Sequence, residues 1–470
     1  MERKWKVLIV VSVGVFMSSL DLFIVNIAFP AIQQNFDNAT VANLSWVLNA
    51  YAIVYAALLV PVGRLADRFG RKRLFMYGLG MFVLGSLLCG FAPSVEALVA
   101  ARILQAAGGA FITPTALGLL LPEFPMSERA TAVAIWAAIG GVAAAAGPPL
   151  GGILVEGSWR LIFLVNIPVG IVAAAYATRI LRESRDESAT GLPDLFGTAL
   201  LIAGISALSL GLVKANDWGW DSAQTIASVL FAAGALALFV RRCSWHAEPV
   251  IDLDMLRVRS YAMSNLTSLL FFAGFSAMLL GTVLFMTEVW HDSVLRAGLS
   301  LTPGPVMAAL FSVPSGKLGE RVGQRYVAFA GCLVTAAGMV FWRMRLGVEP
   351  NYARELLPGL IVSGAGVGMV IPTTAGAAAA SLPPSRFATG SAVVTMSRQL
   401  GSVLGVALLI AVTESASRAG PMAAFDRGID LMIACELLSA VAAIAIGRVF
   451  MHGELAIERV EPSAAETLIS

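Results

Sequence analysis

Residues 61–73 read Pro61-Val62-Gly63-Arg64-Leu65-Ala66-Asp67-Arg68-Phe69-Gly70-Arg71-Lys72-Arg73, and residues 314–325 read Pro314-Ser315-Gly316-Lys317-Leu318-Gly319-Glu320-Arg321-Val322-Gly323-Gln324-Arg325. Laid on one another, they agree at the proline, both glycines, the leucine and the arginine, with Asp67 opposite Glu320. Each lies between two long apolar runs, so each reads as a basic turn joining two membrane-crossing helices. A second set repeats in the same way: Pro114, Thr115, Gly118, Ser127, Thr131 and Gly147 answer Pro372, Thr373, Gly376, Ser385, Thr389 and Gly405. The chain therefore reads as two copies of one helical bundle.

Composition agrees with a bilayer as the main solvent. The 470 residues are 58% hydrophobic and 13% charged, with a mean hydropathy of +0.80, where soluble domains are nearer half apolar and a quarter charged. Near-continuous apolar windows, the first at 7–29 and the last at 429–450, give an all-α polytopic protein of about fourteen spans, each near 20 residues. Little chain is left for a soluble catalytic domain. An even number of spans separates the copies, so both halves point the same way, as in transporters built from parallel repeats. The expected organisation is a six-helix bundle over 1–185, a two-helix insert and linker over 186–260, a second six-helix bundle over 261–452 and a disordered tail over 453–470. The start resembles a signal peptide but is read as the first span, because similar stretches recur throughout and no clean cleavage site follows.

Charge distribution sets the orientation. With both termini in the cytoplasm, most Lys and Arg fall inside, in clusters at Arg3, Lys4 and Lys6, at Arg68, Arg71, Lys72 and Arg73, and at Arg241, Arg242, Arg257 and Arg259. Trp5, Trp159, Trp218, Trp220, Trp245 and Trp290 fall at span ends, where an interfacial belt would put them. A net charge of +2 implies no nucleic-acid partner. Cys89, Cys243, Cys332 and Cys435 are isolated, and His246, His291 and His452 are scattered, so neither a disulfide framework nor a metal site is expected. Gly364, Gly366 and Gly368 imitate a dinucleotide loop, but they lie inside an apolar helix with no strand before it.

These motifs resemble the major facilitator superfamily, and within it the fourteen-span drug:proton antiporter branch, over nearly the whole chain. Gly63 to Lys72 resembles the superfamily's loop between helices two and three, and the resemblance implies a latch on the cytoplasmic side made by Gly63, Asp67, Arg68, Gly70 and Arg71. Gly63 would permit close helix approach, Gly70 a tight turn, and Asp67 could sit at a helix N-terminus. Leu20, Asp21, Ile24, Val25, Asn26, Ala28 and Pro30 resemble the branch's first-helix signature, and Arg102, Gln105, Gly108, Gly109 and Ala110 its fourth-helix motif. Gly147, Pro148, Gly151 and Gly152 resemble the fifth-helix antiporter motif, in which a Gly-Pro pair kinks the helix and small residues admit its neighbour. Trp159, Arg160, Phe163, Asn166, Pro168 and Gly170 resemble the next helix start, and Arg398, Gln399, Gly401 and Gly405 the branch's late-helix pattern.

A charge inside hydrocarbon costs at least about 2.5 kcal/mol, so intramembrane charges are functional candidates. Asp21 in span one and Arg102 in span four count to similar depths and are expected to pair. Burial disfavours an ionised carboxylate and a nearby cation favours it, so a moving Arg102 would change Asp21's hold on a proton; the alternative is a static ion pair joining two helices. Glu436 and Arg398, with Asn26 and Gln105, are candidates for a substrate cavity, and for Glu436 and Arg398 a structural role is equally open. Glu288, His291 and Asp292 are expected to be solvated at an outer boundary. Phe271, Phe272, Phe275, Met278 and Met286 suit either an adaptable apolar pocket or core packing.

The leading expectation is a monomeric, cofactor-free transporter of the cytoplasmic (inner) membrane. It would export small amphiphilic compounds such as drugs, antibiotics, dyes or metabolites, in exchange for protons, by alternating access. No G-x-x-x-x-G-K-[ST] loop is present to bind ATP. Uptake of a small metabolite by proton symport is an alternative, which Gly147 and Pro148 speak against. A non-transporting sensor or scaffold is another, which leaves Asp21 and Arg102 buried without purpose. No nucleophile, metal or cofactor constellation points to an enzyme.

Overall fold

The structure, a computed structural model, describes residues 2–37, 39–185, 191–383, 386–416 and 420–447. Among the described residues there are no strands, and fourteen helices are long and apolar enough to cross a membrane. We number them α1 (Arg3–Asn35), α2 (Val41–Phe69), α3 (Arg71–Gly90), α4 (Val95–Glu123), α5 (Ala138–Gly157), α6 (Leu161–Ile180), α7 (Leu195–Trp218), α8 (Ala223–Cys243), α9 (Arg259–Val289), α10 (Val294–Val322), α11 (Gln324–Arg345), α12 (Tyr352–Ala380), α13 (Thr389–Ala416) and α14 (Pro421–Ala445). The expected tail, His452 and Ser385 lie outside the described residues.

Two helices extend well past their apolar windows. Helix α1 continues to Asn35, whose side-chain oxygen accepts from the indole of Trp159 and the guanidinium of Arg160, both at 2.9 Å. Helix α14 starts at Pro421, because a proline at a first helical position already has the required φ and lacks only an N–H that would go unused. Its polar first turns are held from α11, where Arg343 reaches Asp426 at 3.3 Å and Asp430 at 3.1 Å. Hydropathy sees the oil-facing part of a helix; polar tethers decide where it ends.

The repeated stretches occupy matching places. Helices α1 and α5 pack together, as do α3 and α4, and α2 and α4; the same pairings recur as α9 with α13, α11 with α12, and α10 with α12. Gly147 and Gly405, matched in sequence, make the matching contact: a Cβ on Gly147 would fall 2.7 Å from Phe23 Cβ of α1, and one on Gly405 would collide with the backbone oxygen of Ala273 in α9. Gly70 and Gly323 both turn the chain with positive φ, 111° and 105°, a conformation that costs a side chain about 1–2 kcal/mol.

Helices α7 and α8 pack on each other, and α7 also touches α2 and α13, bridging the two halves along one side. Asn49 of α2 donates to Ser209 of α7 at 3.1 Å, and Asn216 of α7 donates to the backbone oxygen of Ala411 in α13 at 2.7 Å. Asp194 caps α7 by accepting from the Gly197 N–H at 2.8 Å, and both its oxygens accept from Arg242 Nε at the end of α8.

At the end of the bundle that carries the C-terminus of α1, both halves share one apolar cluster, with Ile27, Phe29 and Ile32 from α1, Val283 and Phe285 from α9, Ala297 and Leu301 from α10, and Phe425 from α14. There α5 meets α10, and a Cβ on Gly152 would lie 3.0 Å from Leu295 Cα. At the opposite end the clusters are separate: one belongs to the first half, another to α9, α11, α12 and α14, and the α2–α13 side joins the halves. The halves are therefore closed on one another at the first of these ends. Trp159 and Trp290, expected as interfacial anchors, are instead 5% exposed within the cluster the halves share, with Trp290 donating to the Gly347 oxygen. Trp220 and Trp245 are exposed, as a belt requires.

Candidate functional site

Asp21 and Arg102 meet in the interior of the first half, 1% exposed each. Their ion pair joins Asp21 Oδ2 to Arg102 Nη1. Because α1 runs on to Asn35, Asp21 sits roughly 20 Å from its C-terminal end, deeper than its apolar window suggests. Arg102 is over-determined: Nε donates to the Val47 oxygen of α2 at 3.1 Å, Nη1 also donates to Gln105 Oε1 at 2.7 Å, and the guanidinium lies 4.0 Å from the ring centroid of Tyr51. Gln105 donates to Asp21 Oδ1 at 2.8 Å and to Ser86 Oγ at 2.9 Å, and Asn166 of α6 reaches the same hydroxyl at 3.4 Å. Five helices thus meet in one buried polar network, which holds the carboxylate by two donors.

A cavity of about 70 Å³ lies between the halves beside this network. Leu22, Phe23, Asn26, Leu48, Asn49, Ala52 and Arg102 line it from the first half, and Phe272, Phe275, Ser276, Leu279, Gln399, Ser402, Val403 and Val406 from the second. Arg102 therefore touches Asp21 on one side and the seam between halves on the other. Gln399 Nε2 is buried at the wall without a hydrogen-bond partner, and Ser276 and Ser402 hydrogen-bond across it at 2.7 Å. Drug-sized sites occupy about 300–1,000 Å³, so this cavity is a contracted one.

The cavity candidates separate. Asn26 lines it, its amide donating to the Leu22 oxygen at 2.9 Å. Gln105 does not, since its side chain is consumed by Asp21, Ser86 and Arg102. Arg398 stands behind the wall, donating to the Ile371 oxygen at 3.2 Å with its guanidinium 5.5 Å from the Phe272 ring. Glu436 is fully buried away from the cavity, with neither oxygen hydrogen-bonded; a Cβ on Gly274 of α9 would lie 2.7 Å from its Oε1. Arg398 and Glu436 do not pair. Of the span-nine aromatics, Phe272 and Phe275 face the cavity, while Phe271, Met278 and Met286 are core. Asn49, Ser276 and Ser402 were missed, being ordinary polar residues in apolar runs; a count of which helix face carries them would have been the available signal.

The loop motif is tied mainly within the first half. Asp67 pairs with Arg71 at 2.8 Å, and Arg71 also donates to the Gly118 oxygen of α4 at 3.2 Å. The carboxylate at the N-terminus of α3 is Glu183, accepting from the N–H groups of Lys72 at 2.9 Å and Arg73 at 3.1 Å; Asp67, expected there, is drawn to Arg71 instead. Gly63 is not forced by packing, since a Cβ would meet Pro114 at an ordinary 3.7 Å. Arg68 sits with its guanidinium 5.3 Å from the Phe69 ring. One strand of the motif leaves the bundle: Arg64 pairs with Glu248, just before α9, at 2.6 Å. The second copy has Gln324 where the first has Arg71, so it lacks the partner for Glu320. Helix α5 stays helical through Pro148 and Pro149, with Gly147 and Gly151 facing α1 and Gly152 facing α10. Asp292, expected to be solvated, has a side chain only 5% exposed and pairs with Arg296 at 2.9 Å; burial pushes its carboxyl above the ordinary range and Arg296 partly offsets this. No group of metal-ligating residues occurs among the described residues.

Two repeated helical halves, a cavity between them and a buried charge pair at its edge define the class of secondary transporters. The chain belongs to the major facilitator superfamily: residues 11–241 and 266–454 match the family described as Major Facilitator Superfamily. It is 34% identical over 404 residues to the multidrug resistance protein Stp of Mycobacterium tuberculosis, covering 86% of this chain and 74% of that protein. It is 33% identical to the tetracenomycin C resistance and export protein of Streptomyces glaucescens, covering 87% and 75%. Among solved structures, the bacterial homologue of the human lysosomal transporter Spinster, inward-facing and unoccupied, shares the fold at a TM-score of 0.68 and 16% identity, covering 95% and 96%. The POT family transporter PepTSo does so at 0.67 and 15%, covering 94% and 98%.

Proposed function

We propose that the chain exports small amphiphilic organic compounds in exchange for protons, with both termini in the cytoplasm and Asp21 as the proton carrier. The observation that carries this reading is the Asp21–Arg102 pair, buried among the spans with Arg102 also lining the cavity between the halves. The drug-resistance and export proteins among its relatives support the substrate class.

With the outside closed, Asp21 is held by Arg102 and Gln105. A proton on Asp21 removes the charge that anchors Arg102, leaving that cation to seek new partners toward the cavity. Substrate seated beside Gln399 fills the space that Arg102 would enter, returning the guanidinium to Asp21 and displacing the proton, so proton and substrate compete through one guanidinium. A ligand shifts a conformational equilibrium only by its differential affinity for the two states, and here the differential is Arg102's choice of partner. The mostly apolar wall suits neutral or weakly charged compounds. The Asp67–Arg71 pair and the Arg64–Glu248 bridge act as the cytoplasmic latch, and the glycine face of α5 as the pivot against α1 and α10.

The test is purified protein in liposomes under an imposed pH gradient, with a panel of dyes and antibiotics. Wild type is expected to move at least one compound up its gradient, and Asp21→Asn to lose gradient-driven movement. Unchanged gradient-driven movement in Asp21→Asn removes Asp21 from the mechanism.

A further inference from the structure

A second concavity, of about 780 Å³, lies on the outer surface of the bundle between α1 and α6. Its floor is Val10 and Ala173, both buried, and its walls include Ile9 and Val172, which are 51% and 54% exposed. Exposed aliphatic side chains on membrane-spanning helices face hydrocarbon, so this groove opens to lipid. Along α6 it runs from Pro168 to Ile180, roughly 18 Å, close to the ~15 Å depth of one leaflet's hydrocarbon.

One end of the groove is charged. Lys6 and Arg179 line it there and are both exposed. They lie together, because Arg3 Nη2, one turn before Lys6, donates to the oxygen of Ile180 at 3.4 Å. Their neighbours are neutralised: Arg3 pairs with Glu123 at 3.0 Å and Lys4 with Glu128 at 2.7 Å. Among the described residues, Lys6 and Arg179 have no carboxylate partner. Tyr176, one turn before Arg179, adds a hydroxyl at the same rim.

We propose that this groove binds an anionic phospholipid of the cytoplasmic leaflet, with acyl chains lying along α1 and α6 and the phosphate between Lys6 and Arg179. An apolar slot one leaflet deep, with two unneutralised cations and a hydroxyl at the interface end, is complementary to that molecule. It is not complementary to a free anion, which has nothing to place in the slot, nor to a lipid without net charge, which leaves the cations unbalanced. Seated there, the lipid would join α1, which carries Asp21, to α6, which carries Asn166 of the same network.

The experiment is native mass spectrometry of the full chain in detergent, titrated with phosphatidylglycerol or phosphatidylcholine of matched chains, or with inorganic phosphate. Wild type is expected to retain phosphatidylglycerol preferentially. Removing both charges in Lys6→Gln/Arg179→Gln should weaken retention about 30-fold, at about 1 kcal/mol per cation. Lys6→Arg/Arg179→Lys should restore it, separating charge from folding. Val172→Trp, which fills the slot, should also lower retention. Equal retention of the two lipids, undiminished phosphatidylglycerol binding by the charge-removed variant, or equal protection by phosphate alone would overturn the proposal.

Discussion

At the scale of single residues, the buried charges divide by what surrounds them. Asp21 has two donors, one of them a cation, whereas Glu436 has none. An unmet polar group in an apolar interior costs about 1–3 kcal/mol, so Glu436 is either useful or a burden. Glu436→Leu is therefore expected to raise the thermal unfolding midpoint in detergent, by about 1–3 kcal/mol of stability. A lowered midpoint would mean that Glu436 holds the second half together through a partner. The Asp21–Arg102 pairing was legible in the sequence because charges are scarce in apolar runs. The role of Gln105 was not: its amide joins the carboxylate, whereas spacing alone placed it equally well in the cavity. Glu183 was also hidden, because a carboxylate far along the chain took the helix terminus expected for Asp67.

At the scale of elements, the insert depends on one buried carboxylate. Asp194 is exposed to burial, which opposes its charge, but the Gly197 N–H and the Arg242 guanidinium outweigh this and hold it below the ordinary carboxylate range. A depressed value means that its stabilisation is present above the unfolded value of about 3.9 and lost as pH falls through the folded value. Asp194→Asn keeps an N-cap oxygen but loses the charge for Arg242, and should cost about 1–2 kcal/mol at neutral pH. Thermal melts of variant and wild type should converge below pH 4 or so; a gap that persists undiminished in acid would contradict the ion-pair account. Span number, repeat pairing and the two positive-φ glycines were readable from hydropathy and motif. Helix ends were not, because Asn35, Asp426 and Asp430 are polar tethers formed only after packing. Nor was the place of α7 at the seam, since Asn49, Ser209 and Asn216 carry no distinctive pattern.

At the scale of the whole molecule, the proposed cycle requires that the seal between α5 and α10 open. A Cβ on Gly152 would lie 3.0 Å from Leu295 Cα, so cysteines at the two positions should cross-link with a small local shift, and the four native cysteines are free and buried. Gly152→Cys/Leu295→Cys is expected to transport when reduced and to stop when oxidised, with activity restored by reductant. Full activity in the cross-linked state would show that the outer contact does not part during the cycle. Should the seal prove movable, the remaining question is what drives it, and that returns to the exchange of partners at Arg102. The most direct measurement is proton release on binding: a dye shown to be carried is added to the purified protein in weakly buffered detergent solution, and the pH is followed. The account predicts that wild type releases protons on binding and that Asp21→Asn binds the dye while releasing none. Equal proton release from both proteins would contradict it.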